Sequence, residues 1–117
     1  MEGKEFKIYS EPGDSDYELV RIIGDIDSDA GMYVQEYLEK LLNRSIKRIV
    51  VDLQNVSYIN SRGIGILSFF LKKCKELGGN LILLNPGERV NNILKITFLS
   101  KVFPIIHSID QVSAYFE

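Results

Sequence analysis

The sequence predicts an α/β fold: one domain, with a mixed sheet of four or five strands, parallel at its centre, and about four helices. Three observations carry that prediction. Short β-branched runs alternate with stretches of helical period. The two earliest strands flank a turn, and one later apolar run is continuous enough to be covered on both faces.

Phe6 and Ile8, then Leu19, Ile22 and Ile23 beyond the turn "SEPGDSD", predict a hairpin or near-hairpin punctuated by Pro12, Gly13 and Asp14. After Gly24 the period changes. Tyr33, Tyr37, Leu38, Leu41 and Leu42 recur at helical spacing and predict a helix over 29–43, with Ser28 or Asp29 as its cap. In "RIVVDLQNVSYI", Ile49, Val50, Val51 and Leu53 predict a central strand. A second helix over 62–77 stops at Gly78-Gly79, and "NLILL" is another buried strand. Pro86-Gly87-Glu88 opens a third helix over 88–97, carrying Val90, Ile93, Leu94 and Ile96. A short strand at about 102–106 and a helix over 109–116 close the chain. The 117 residues read as a single domain, 1–117, with no repeat or linker.

Composition narrows the function. Apolar residues at 45% and charged residues at 26% suit a packed core and argue against disorder. The net charge is −2, with Lys and Arg scattered, so there is no electrostatic footprint for direct nucleic-acid binding. The single cysteine, Cys74, can form no internal disulfide and reads as a small buried hydrophobe. No apolar run reaches the ~18 residues of a membrane span, and Met1-Glu2-Gly3-Lys4-Glu5 lacks a signal-peptide core. A cytoplasmic location is expected by elimination. Asp25, Asp27 and Asp29 alternate as a hard-cation loop can, but no later Glu completes the spacing, so neither metal nor cofactor is expected.

The chemistry concentrates in "SYINSRGIGIL", where Ser61 stands between a strand and a helix. A serine nucleophile needs an adjacent base; the only histidine is His107, and "NSRGIG" is not a G-x-S-x-G elbow. Catalysis is therefore not expected. Gly63-x-Gly65 lacks both the lysine of a P-loop and the third glycine of a dinucleotide turn. As a helix cap, the Ser61 hydroxyl could accept from the N–H of Gly63 or Ile64, worth about 1 kcal/mol. A phosphate on Ser61 would lie at the positive end of a helix dipole, beside Arg62. Ile64, Ile66, Leu67, Phe69, Phe70 and Leu71 exceed the one stripe of a surface helix. Either the first two turns are buried all round, or part of them is a patch that a partner covers.

At these residues the chain resembles the STAS domains, and within them the bacterial anti-sigma factor antagonists. "RIIGDIDSDAG" is similar to the family's G-[ED]-[LI]-D segment. "IVVDLQNVSYINSRGIGIL" resembles its D-L-x-x-V-x-[FY]-[ILM]-D-S-[ST]-G-[LI]-G-x-L core, and "NNILKITFLSKVFPIIHSIDQV" its C-terminal segment. The resemblance implies that Ser61 is phosphorylated by a kinase-type anti-sigma factor. The unmodified form binds that kinase and frees a sigma factor; phosphorylation breaks the complex and a phosphatase restores it. It also implies a supporting role for Asp27. The surplus of apolar residues beside a modifiable turn predicts a partner surface made of the Ser61 loop, the start of the following helix and the Asp25–Asp27 loop: Asp25, Asp27, Asn60, Ser61, Arg62, Gly63 and Ile64. Two positions depart from the pattern: the family's aspartate before the serine is Asn60, and the following Ser or Thr is Arg62. Asn60 removes a charge that repels a phosphate, and Arg62 adds one that pairs with it. The alternative is a non-switching STAS module, either a signalling scaffold or a binder of a nucleotide or lipid.

Overall fold

The computed structural model describes residues 5–116; Met1–Lys4, in the segment read as lacking a leader core, lie outside the described residues. Strands β1 (Lys7–Pro12) and β2 (Glu18–Ile23) form the predicted antiparallel hairpin. Helix α1 (Ser28–Asn43), strand β3 (Arg48–Asn55), helix α2 (Ser61–Glu76), strand β4 (Asn80–Leu84) and helix α3 (Glu88–Ile96) follow in alternation. A 3-10 turn (Leu99–Lys101), strand β5 (Ile105–Ile106) and a 3-10 helix (Ile109–Ala114) end the described chain.

The five strands lie in sequence order, β1-β2-β3-β4-β5, with β2 to β5 parallel. Right-handed crossovers between parallel strands that advance in one direction put the three connecting helices α1, α2 and α3 on the same face. The packing agrees. Val34 and Leu38 of α1, Leu67 and Phe70 of α2, and Val90 and Leu94 of α3 share one core with Ile49, Val51 and Leu53. The reverse face is covered differently: Leu19, Val50, Ile82, Leu84 and Ile106 pack with Tyr17, Val112 and Phe116. Both faces of β3 are thus buried, which is why its apolar run is nearly continuous.

One motif residue belongs to that reverse face. Asp52, 5% exposed, accepts from Arg21 Nη1 at 2.8 Å through Oδ2, and its Oδ1 accepts from the Gln54 N–H at 3.0 Å. The β2–β3 register slips there, from Arg21↔Asp52 to Ile23↔Asn55, so β3 carries one extra residue. Asp52 holds the bulge and has no part in the surface around Ser61.

Three expectations are corrected. The last helix is a 3-10 helix, and the strand expected at about 102–106 shrinks to Ile105–Ile106, because the N–H groups of Val102 and Phe103 close the preceding 3-10 turn by donating to the Leu99 carbonyl at 3.0 and 3.1 Å. Tyr33 is not on the buried face of α1; that face is Ala30, Gly31, Val34, Leu38 and Leu41, while Tyr33 stacks on Phe6 at 6.2 Å. The alternative left open for α2 is decided for burial, which removes the motive for an apolar partner patch: Ile64, Ile66, Leu67, Phe70 and Leu71 are core, and of the six apolar residues Phe69 alone is exposed. Cys74 is buried as expected, and desolvation pushes its thiol up to about 11. Among the described residues no helix is long and apolar enough to cross a membrane.

Candidate functional site

The site is built on a single bridge. Beyond the ends of β2 and β3, Ile26 pairs in parallel with Ile59. The Ile26 N–H donates to the Tyr58 carbonyl at 2.8 Å, and the Asn60 N–H donates to the Ile26 carbonyl at 3.0 Å. The bridge holds both chains extended, so each can turn helical only at the next residue. Asp27 and Asn60, each one residue past the bridge, are therefore the two helix caps.

Both capping expectations change as a result. For α1 the cap is Asp27, not Ser28 or Asp29: Asp27 Oδ1 accepts from the Ala30 N–H at 2.9 Å. For α2 it is Asn60, not Ser61: Asn60 Oδ1 accepts from the Gly63 N–H at 2.8 Å. The Asn60 backbone is extended (φ −88°, ψ 176°), whereas Ser61 is already the first helical residue. The Asn60 amide ties the two starts together, with Nδ2 donating to Ser28 Oγ at 3.3 Å. The serine, relieved of capping, is exposed.

The remaining predicted residues take distinct places. Arg62 is exposed, and among the described residues no carboxylate pairs with it. Gly63 and Ile64 are buried, so they shape the surface from beneath instead of offering side chains to it. At Gly63 the approach is close: an added Cβ would lie 2.7 Å from Ile26 Cγ2 and 2.9 Å from Ile59 Cγ1. Asp25 is half-buried, with Oδ1 closed off from solvent and without a hydrogen-bond partner. Asp27 is exposed at its cap. One contact beside the bridge escapes the sequence reading. The guanidinium of Arg89, in the first turn of α3, lies 5.2 Å from the centroid of Tyr58, and no spacing in the chain links positions 58 and 89.

The arrangement limits the chemistry. In open α/β sheets, ligand crevices form where strand order reverses, and this order never reverses. A cleft of about 470 Å³ lies at the opposite end of the sheet, lined by Tyr17, Glu18, Lys47 and Arg48 among others. His107 is exposed after β5, with β4 between it and β3, and no hydrogen bond among the described residues joins it to Ser61. No three metal-ligating side chains cluster among the described residues. These features define a small α/β module that presents a polar turn, with Ser61 and Arg62 exposed, on an open surface.

The chain matches the STAS domain model over residues 12–112, and it belongs to that family. It is 28% identical over 92 residues to the anti-sigma-B factor antagonist of Listeria monocytogenes, a match covering 79% of this chain and 81% of that protein. In fold it is similar to an anti-sigma factor antagonist from Mycobacterium paratuberculosis, with a TM-score of 0.83, 21% identity, and 95% and 94% of the two chains covered. It also superposes on the Bacillus cell fate determinant SpoIIAA in its phosphorylated form, with a TM-score of 0.71, 16% identity, and 92% and 98% covered. The relatives named in these matches are regulators, as the resemblance implied.

Proposed function

We propose that this protein is an anti-sigma factor antagonist whose partner is a kinase-type anti-sigma factor, and that Ser61 is its phosphoacceptor. The unmodified protein binds the kinase and frees a sigma factor. Phosphorylation of Ser61 ends that binding, and a phosphatase reverses it. The surface comprises Asp25, Asp27, Asn60, Ser61 and Arg62, shaped from below by Gly63 and Ile64. One observation carries the reading: Ser61 is an exposed hydroxyl on the first residue of α2, freed from capping by Asn60. Helix α2 has no acid in its first turn, so a phosphate there would meet free N–H groups and Arg62 without repulsion from its own helix. That a relative of this fold exists in a phosphorylated form supports the same reading.

The phosphate acts at the interface. About −1.5 to −2 charges buried against a surface shaped for a hydroxyl carry a desolvation penalty, and Asp27 across the bridge adds repulsion. Incubation with the cognate kinase and ATP, followed by peptide mass mapping, tests the acceptor. One phosphate on the Ser61 peptide, absent in Ser61→Ala, is the expected outcome. Association without that mass shift would favour the non-switching scaffold, with Asn60 and Arg62 depriving the kinase of the acidic residue and small hydroxyl that flank the serine in the family pattern.

A further inference from the structure

Gly65 has no reason to be glycine in the fold of this chain. It is exposed inside α2, and a Cβ built there meets no atom of the described residues within 4 Å. The other helical glycines differ. Gly63 would clash with Ile26 and Ile59, and a Cβ at Gly31 would lie 3.3 Å from Ile66 Cδ1. Nor does Gly65 need a left-handed backbone; the positive-φ glycines are Gly24 and Gly78. Glycine within a helix is disfavoured against alanine because it loses more backbone freedom on folding. The isolated molecule thus bears a destabilising residue that its own packing does not require.

We propose that the anti-sigma factor lays its backbone directly on α2 at Gly65, with the ring of Phe69 as the adjacent anchor; this rests on the partner assigned above. Arg62, Gly65 and Phe69 stand at i, i+3 and i+7, along one side of the helix. Phe69 is 53% exposed yet held in place, edge-on to Phe70 at 5.2 Å and beneath the Lys73 ammonium at 5.5 Å. A pre-positioned aromatic side chain suits an interface anchor because little rotamer entropy remains to be lost.

Charge identifies the face that meets it. The exposed side of α2 carries Arg62, Lys72, Lys73 and Lys75 against Glu76, while neighbouring α1 exposes Asp29, Glu36 and Glu39 against Lys40. The partner surface over α2 is accordingly acidic around an apolar recess for Phe69. Ser61 lies one turn before Gly65, about 5–6 Å between side-chain origins for such a pair, so a phosphate on Ser61 enters the same contact.

The test uses a kinase-type anti-sigma factor from the source genome that binds the wild-type chain, with the melting temperature and Kd of Gly65→Ala and Gly65→Leu measured in parallel. Gly65→Ala is expected to raise the melting temperature by about 2–5 °C. Gly65→Leu is expected to stay folded and to bind at least tenfold more weakly. Two results overturn the inference alone: a Gly65→Leu affinity equal to wild type, or a Gly65→Ala melting temperature below it. If the wild-type chain binds none of the genome's kinase-type anti-sigma factors, the functional reading itself fails and this docking mode with it. That outcome differs because the unsubstituted protein is already inactive.

Discussion

Helices α1 and α2 start side by side on one bridge, but the two starts are charged differently. Helix α1 opens with an aspartate cap, Asp27, followed by Asp29 in its first turn. Helix α2 opens with the neutral cap Asn60 and has no acid in its first turn. Both caps make the same bond, to the third N–H of their helix, at 2.9 and 2.8 Å. The difference is therefore electrostatic and not geometric. The positive end of α1 is compensated from within the chain, whereas the positive end of α2 is left open beside Ser61 and Arg62. A helix end left uncompensated at an exposed hydroxyl can receive an anion, and the neighbouring end cannot.

Breaking the shared bridge should have the largest effect. Gly63→Ala forces a methyl against Ile26 and Ile59, and should destabilise the domain by about 1–3 kcal/mol in urea titrations. Removing the caps one at a time separates charge from geometry. Asp27→Ala should cost about 1–2 kcal/mol and Asn60→Ala about 1 kcal/mol, because only the first also removes a charge from its helix dipole. The gap between them should narrow in high salt.

Making the two starts alike is the next test. Asn60→Asp should stabilise the fold by about 0.3–1 kcal/mol at neutral pH and low salt, while slowing phosphorylation of Ser61 by repelling the incoming phosphate. A kinase that modified Asn60→Asp faster would show that it reads an acidic residue there, and the open positive end would not be what receives the phosphate. The smallest change in stability belongs to Ser61→Asp, expected within about 0.5 kcal/mol of wild type by thermal melting, with binding of the anti-sigma factor weakened. Loss of stability well beyond that would mean that the fold, and not the interface, responds to charge at Ser61.

Much of the architecture is legible in the chain because it rests on local period. The β-branched run 49–53, the helical spacing around Leu38 and Leu41, and the glycine stop after α2 each follow from neighbours a few residues apart. The apolar surplus of α2 left burial and a partner patch undecided for the same reason. Period alone cannot say how much of a helix the rest of the molecule covers, and here the sheet, α1 and the α3 end leave only Phe69 uncovered among those residues.

By itself the sequence determined the alternation of strands and helices, the family resemblance through "IVVDLQNVSYINSRGIGIL", and the presence of a polar turn at Ser61. Those properties are written in spacing and residue type, which need no distant partner. Tertiary structure alone decided that Asp27 and Asn60 cap the helices and that Ser61 is left free. Residues 26 and 59 are far apart in sequence, and only their bridge keeps both chains extended to one residue further. The same holds for Asp52, held by Arg21 on the reverse face, and for Gly65, whose empty surroundings can be recognised only once every neighbour is in place.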